Sequence, residues 1–390
     1  MTTDFSKLTL FVANSEQIKV HRQRTFEPWG RGLSLEEFVK RDEAFHGLPH
    51  TTDGKHTVWI LALRESGHST LDFLCSCETY QREVALSERV LQSCNGKVPS
   101  GYGVASVITP SMNRGKGYAK HMMRLLHYVL ADPTLSQIFP PFPIDQWGAP
   151  PVIPQGLGRG IVSVLYSDVG AKFYEACGTA PGRDDGWTVK SPVGTIWKVP
   201  KRQDDVVANS GLKNIRWLTK EDQEQVWDED ALLIQKEIRE VTSLSFSFLP
   251  NNGLANYLQA WSLFYSPTAS ASEGGIWGAR IEEEGDRSNL AFATWCLDPG
   301  REGPGTMLIT RLRATSEQFL ILLDAAFEAA RQFGLEQVEI WNLERSLVDI
   351  GRKLGGETSE REDHLSSLAW YGNGNKEEVE WWYNEKFSWC

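Results

Sequence analysis

Little in these 390 residues points to a metal, a membrane or a nucleic acid. The six cysteines, at 75, 77, 94, 177, 296 and 390, show none of the paired spacing of a zinc site or a small disulfide scaffold. They are expected to be reduced thiols of a cytoplasmic protein. The eight histidines do not cluster in sequence, and Gly47 and Pro49 break the helix that would align His46 with His50, so no metal is expected. No apolar run approaches the roughly 18 residues of a membrane helix. The opening MTTDFSKLTLF lacks the basic and then long apolar segments of a cleaved signal. Basic residues are outnumbered, and a net charge of −11 argues against nonspecific nucleic-acid binding, which needs clustered Lys and Arg. The same charge favours a cationic small molecule.

What is present suffices for a large folded protein: 41% hydrophobic residues, with 15 Trp and 17 Phe. The length suggests two domains, since one domain usually holds roughly 100–200 residues. The polar run KRQDDVVANSG at 201–211 is the natural linker, giving domains at 1–205 and 206–390.

After an N-terminal stretch with helical segments, TVWILALR (57–64), STLDFLCSCE (69–78) and GYGVASVIT (101–109) read as strands. Cys75 and Cys77 then share one strand face. Pro110, Ser111 and Asn113 break the third strand before a helix to about residue 130, on which Tyr118, Met122, Leu125, Leu126 and Val129 form one apolar stripe. Seven prolines between 133 and 154 make residues 131–158 an irregular excursion. A strand at 160–166, a short helix at about 170–177 and a strand at 194–199 follow. The second half repeats this order. It has strands near 275–281, 289–297 and 305–312 and a helix at 316–333 with a Thr315/Gln318 capping box and a terminal Gly334. QVEIW, a helix at 345–354 and HLSSLAWY complete the series, suggesting a duplicated fold.

The segment VITPSMNRGKGYAKHMM (107–123) is the most informative. Gly115 and Gly117 carry no side chain to block a pyrophosphate from the N–H groups of the helix's first turn, and Arg114 and Lys116 add positive charge. The bland alternative is an ordinary glycine turn at a helix start. A P-loop is excluded because GxxxxGK[ST] is absent, and GLGRG at 156–160 precedes a strand rather than opening a helix.

RGKGYA (114–119), preceded by its strand, resembles the (Q/R)xxGx(G/A) signature of the GNAT superfamily of N-acetyltransferases. LYSDVGAKFYEACG (165–178) is similar to that superfamily's later strand-to-helix segment, a phrase close to FYExxGF, with Thr179 in place of the usual aromatic. These motifs, the tail EVEWWYNEKFSWC and the two-part length resemble the fungal L-lysine N6-acetyltransferases. The resemblance implies an α/β (α+β) fold, a GNAT-type mixed central sheet flanked by helices, followed by a second GNAT-like domain without the cofactor motif. It implies acetyl-CoA as co-substrate and free L-lysine as acceptor, as in lysine degradation. Acetylation of another amine or of a protein, or an acyl-CoA sensor without turnover, remains open.

The implied cofactor residues are Val107, Ile108 and Thr109 along the pantetheine arm, Arg114, Gly115, Lys116, Gly117, Tyr118 and Ala119 at the pyrophosphate, and Asp168, which is equally a candidate helix N-cap. A lysine amine, of pKa about 10.4, must lose a proton before it attacks, and the leaving thiolate, near 8.5, gains one. Tyr174 is the expected proton donor, against the alternative of a core aromatic. Two groups are candidate bases. Glu78 would end an apolar strand, where an exposed surface carboxylate is the ordinary expectation. The α-carboxylate of Cys390 would be carried by a tail whose Trp381, Trp382, Tyr383, Phe387 and Trp389 are too apolar to fray, and deleting Trp389 and Cys390 would then abolish turnover while sparing acetyl-CoA affinity. The second half has LRATSEQF (312–319) where the first has its glycine loop, so no cofactor is expected there; it would close over the first half and wall the acceptor site.

Overall fold

The computed structural model describes residues 4–94, 96–135, 139–201, 214–265, 275–282, 290–298 and 304–389. The chain begins with β1 (Leu8–Val12), α1 (Ser15–Trp29) and α2 (Leu35–Phe45). Both helices start on capping boxes, Asn14 with Gln17 and Ser34 with Glu37, which satisfy the first orphan N–H groups. Then come β2 (His56–Leu63), β3 (Cys75–Arg82), β4 (Val84–Leu86), α3 (Glu88–Ser93), β5 (Ser100–Ile108) and α4 (Tyr118–Leu130). A one-turn α5 (Ile144–Trp147) interrupts the proline-rich excursion before β6 (Gly160–Ser167), α6 (Ala171–Glu175), β7 (Thr188–Val189) and β8 (Val193–Lys198). The second half runs β9 (Ile215–Leu218), α7 (Lys220–Arg239), β10 (Ser245–Phe248), α8 (Asn256–Tyr265), β11 (Gly278–Ile281), β12 (Phe292–Asp298) and β13 (Thr306–Arg313). It continues with α9 (Ser316–Gln332), β14 (Gln337–Trp341), α10 (Arg345–Lys353), β15 (Glu357–Glu360), β16 (Leu365–Trp370) and β17 (Glu380–Trp381).

Two seven-stranded mixed sheets result, with orders β1-β2-β3-β5-β6-β16-β7 and β9-β11-β12-β13-β14-β8-β15. Position by position the pairings agree: in each sheet every neighbour is antiparallel except the fourth with the fifth, β5 with β6 and β13 with β14. Both sheets also carry a register shift between their third and fourth strands, at Ser76/Glu78 and at Thr294/Trp295. The duplication expected from the order of elements is thus a duplication of sheet topology.

The halves are not separate along the chain. The strand expected at 194–199 forms as β8, but it occupies the sixth place of the second sheet, while β16 from the C-terminal half occupies the sixth place of the first. A cut at 205/206 therefore leaves one strand of each sheet on the far side. The linker expected at 201–211 lies outside the described residues from 202 onward.

The core explains the helices. Met122, Leu125, Leu126 and Val129 of α4 are fully buried against Trp59, Cys75, Cys77 and Leu165 of the first sheet, and Phe319, Leu322, Leu323 and Ala326 of α9 pack likewise on the second. The tail does not fray: β17 pairs with β10, and Phe387 is fully buried with Phe246 and Phe248.

The strand expected at 69–78 begins later, at Cys75, and runs to Arg82. The alternation of Leu71 and Phe73 imitates a strand, but Leu71 is exposed and Phe73 lies under Arg24 of α1, whose guanidinium sits 3.9 Å from its ring centre. Glu78 consequently lies in mid-strand, and the expectation of an exposed strand end is overturned: the residue is 5% exposed.

Candidate functional site

The site begins where β5 and β6 part. The two strands pair in parallel from Ser100–Gly160 to Val104–Leu165 and no further, although β5 continues to Ile108. The cause lies in β5 itself. Its bulge against β3 falls here, and Ser106 adopts a left-handed φ of +52°, so the strand turns away from β6. Val107, Ile108 and Thr109 thus border a cleft rather than a neighbouring strand on that side. The Thr109 carbonyl accepts a 3.1 Å hydrogen bond from Arg114 Nε, tying the strand end to the loop that follows.

That loop leads into α4. Gly115 and Gly117 have φ of +75° and +82°, in the left-handed region that glycine alone enters freely. A Cβ on Gly115 would meet no protein atom within 4 Å, and Arg114 to Gly117 are all exposed. Gly117 is the N-cap of α4 and offers no side-chain acceptor; the first turn, beginning Tyr118, Ala119, contains no acidic residue. Its N–H groups are therefore left for an anion, and the helix dipole favours one.

A cavity of about 220 Å³ opens beside the cleft. Val104 to Val107 of β5 and Leu165 to Val169 at the end of β6 form one wall, and Glu78 and Tyr80 of β3 the floor. Trp29, Phe38 and Phe45 of the N-terminal helices, Tyr257 and Trp261 of α8, and His364 and Trp389 from near the C-terminus cover it. Tyr174 of α6 reaches the same cavity. Its ring meets Phe173 and Trp187 edge to face, its hydroxyl has no hydrogen-bond partner among the described residues, and burial pushes its pKa well above the ordinary tyrosine value. It keeps its proton at neutral pH.

Glu78 is enclosed by hydrogen-bonding groups. His21 Nε2 of α1 lies 2.7 Å from one carboxylate oxygen, and the Tyr80 hydroxyl donates a short bond to the other. His56 Nε2 lies 3.5 Å away, too far for a normal hydrogen bond. Burial alone would raise the Glu78 pKa, but His21 and His56 outweigh it and hold the carboxyl well below the usual range. His21 is in turn oriented by Ser76, 2.9 Å from its Nδ1. This buried cluster was not legible in sequence, because it joins α1, β2 and β3.

His46, His56 and Glu78 place three possible metal-ligand atoms within 4.8 Å of one another. One nitrogen of His46 is already engaged: Arg22 Nη2 lies 2.7 Å from His46 Nδ1, and a guanidinium can only donate. Burial holds His46 and His50 neutral, with pKa values lowered to about 4 and about 3.

Asp168 is not the N-cap of α6, as one expectation had it: Gly170 takes that position, and Ser167 makes the local turn. Asp168 Oδ1 instead accepts from the backbone N–H of His364 at 2.9 Å, and the His364 Nδ1 lies equally near. Burial works against its ionisation, and the His364 contacts outweigh that and lower its pKa. It thus links the end of β6 to the segment entering β16. Cys390 lies outside the described residues, whereas its neighbour Trp389 lines the cavity, tilted against Tyr257 and edge to face with His364.

Comparison with known proteins agrees with this architecture. Residues 197–390 match the family described as the LYC1 GNAT-like C-terminal domain. A lysine acetyltransferase of Yarrowia lipolytica is 26% identical over 115 residues, a stretch that is 29% of this chain and 27% of that relative, so only about a quarter of the relative is spanned. A conserved Enterococcus faecalis V583 protein of unknown function, described as a probable N-acyltransferase, superposes with a TM-score of 0.50 at 9% identity, over 94% of this chain and 72% of its own. A GCN5-related N-acetyltransferase from Kribbella flavida does so with a TM-score of 0.50 at 11% identity, over 93% and 71%. At such identities the likeness is one of fold. Residues 197–390 are thus a GNAT-like C-terminal domain of the LYC1 type, and the fold of the whole chain is that of the GCN5-related N-acetyltransferases it superposes on.

Proposed function

We propose that this protein transfers the acetyl group of acetyl-CoA to the primary amine of a small molecule, with the side-chain amine of free L-lysine as acceptor, in the breakdown of that amino acid. A cytoplasmic setting belongs to the same reading, supported by five described cysteines that are all unpaired and buried. The observation that carries the proposal is the meeting of the β5–β6 cleft with a cavity onto which both Glu78 and Tyr174 open.

The N–H groups following Arg114 would grip the pyrophosphate, with Lys116 adding charge, and the free edge of Val107 to Thr109 would align the pantetheine arm and thioester. Glu78 draws the ammonium into the aromatic cavity and takes one proton before the neutral nitrogen attacks the thioester carbon; the second proton, shed by nitrogen as the amide forms, replaces the one Tyr174 gives up. His21 and Tyr80 hold the carboxylate in place. When the carbon–sulfur bond breaks, Tyr174 gives its hydroxyl proton to the departing thiolate. The cavity, at about 220 Å³, is smaller than the 300–1,000 Å³ typical of drug-sized ligands, which supports a compact acceptor over a peptide. A division into a catalytic unit, 1–205, and a closing unit, 206–390, fits this reading functionally, with α8, His364 and Trp389 of the latter walling the cavity.

The test is to incubate the protein with acetyl-CoA and a panel of free amino acids and follow thiol release. Release with L-lysine, reduced at least 100-fold in Tyr174→Phe at unchanged acetyl-CoA affinity, is the expected result. No transfer to any amine in the parent protein would leave an acyl-CoA sensor instead.

A further inference from the structure

The cavity holds its charges unevenly. Among its described lining residues, Asp42 takes both bonds of Arg41, from Nε at 3.1 Å and Nη2 at 2.6 Å, and Arg41 Nη1 donates to the Tyr265 hydroxyl. Asp168 is engaged by His364, Glu78 by His21 and Tyr80, and burial keeps His46 and His50 neutral. Arg31 differs. Its guanidinium makes no hydrogen bond among the described residues, and its nearest carboxylate, Asp298, is a loose 3.9 Å away. It is nevertheless held: the guanidinium carbon lies 4.9 Å from the ring centre of Trp261, itself 8% exposed.

The backbone adds to this. Arg31 sits in the turn between α1 and α2 with a left-handed φ of +44°, a costly conformation for a residue with a side chain. Gly30 and Gly32 flank it, so the chain had glycine available on either side yet places arginine at the strained position. The side chain is 40% exposed, at the rim of a cavity whose floor carries Glu78. A ligand spanning the two would offer a cation to the floor and an anion to the rim.

We propose that Arg31 binds the carboxylate of the acceptor, so that the site selects amino acids over simple alkylamines. This rests on the acceptor being a small primary amine, as proposed above. The stacked guanidinium presents a planar fork of donors that matches a carboxylate with two parallel bonds, which an ammonium cannot reproduce. Trp261 fixes the plane, so little side-chain freedom is lost when the ligand arrives.

The experiment compares L-lysine with pentane-1,5-diamine, the same chain without the carboxylate, using the parent protein, Arg31→Gln and Arg31→Lys. Binding is measured by calorimetry in the absence of acetyl-CoA, and transfer by thiol release. Arg31→Gln is expected to weaken lysine binding and raise its KM roughly tenfold to a hundredfold, with kcat little changed and the diamine unaffected; Arg31→Lys should recover part of the loss. Equal effects on both ligands, an unchanged lysine affinity in Arg31→Gln, or no measurable lysine binding by the parent would overturn the proposal. Arg31-dependent lysine binding without any transfer would uphold it and overturn the enzymatic reading instead.

Discussion

The two sheets share one topology and differ at one place, the gap after the parallel pair. In the first half the cleft beyond Val104 is bordered by unpaired strand edge and leads to a glycine loop with free N–H groups. In the second, the pair β13–β14 ends at Ile309–Ile340, and the chain's own tail enters the space beyond, where Tyr383 borders a remaining cavity of about 260 Å³ lined by Arg311 to Thr315. Glu385 accepts from the Leu312 N–H at 2.8 Å and from Arg311, and Arg311 binds Asp230, all three being buried. The helix start differs in the same sense, since the side chain of Thr315 accepts from the Gln318 N–H, spending there what α4 leaves open. A fold can thus keep its strand order while side chains decide whether the cleft is a site or a joint.

Substitutions at equivalent depth should break this comparison most sharply. Glu78→Gln is expected to lower kcat by about 100-fold or more at little cost in Tm, because glutamine keeps the size and one accepting oxygen of a side chain that lines the cavity. Asp230→Asn should do the reverse, leaving Arg311 and Arg313 short of a buried partner and costing about 3 kcal/mol or more of stability. Steady-state kinetics beside denaturant melts separates the two outcomes.

The helix starts offer a finer test. Gly117→Val forces a φ of +82° on a branched residue and brings Cβ to 3.2 Å from Phe5, so acetyl-CoA Kd should rise at least about tenfold. Thr315→Ala should cost about 1 kcal/mol of stability and leave that Kd unchanged. Calorimetric titration with acetyl-CoA checks both.

Acidification separates the halves in another way. His46, His50, His121 and His127, all in the first half, are held neutral by burial, with pKa values lowered to about 4, 3, 3 and 4. Unfolded, each takes a proton near 6.5, so the unfolded state binds more protons below that pH and stability falls as pH drops from 7 towards 4. Glu385 acts oppositely. Burial raises its pKa from 4.5 to about 7, so its contribution is present at low pH and lost as pH rises through 7. Tm should fall between pH 7 and pH 5, and fall more steeply in Glu385→Gln.

The glycine loop and the start of α4 were legible in sequence because their signals are local: two glycines, two cations and a helix stripe within one short segment. The setting of Glu78 was not, since His21 and His56 reach it from other elements and an apolar alternation at Leu71 and Phe73 moved the strand forward. The crossing of β8 and β16 was equally hidden. Each is a short, largely buried strand without a clear alternation, and a strand's pattern does not say which sheet receives it. Arg31 gave no signal at all, its partner being Trp261 on a distant helix.

The reciprocal exchange of β8 and β16 also bears on how the protein comes into being. An N-terminal domain ordinarily folds while the ribosome is still making the rest. Here the place between β6 and β7 stays vacant until residues 365–370 have been translated, so the sheet that carries the candidate site is among the last structures to close. A nascent chain of this kind exposes unpaired strand edges, open to pairing with other chains, until that late segment emerges.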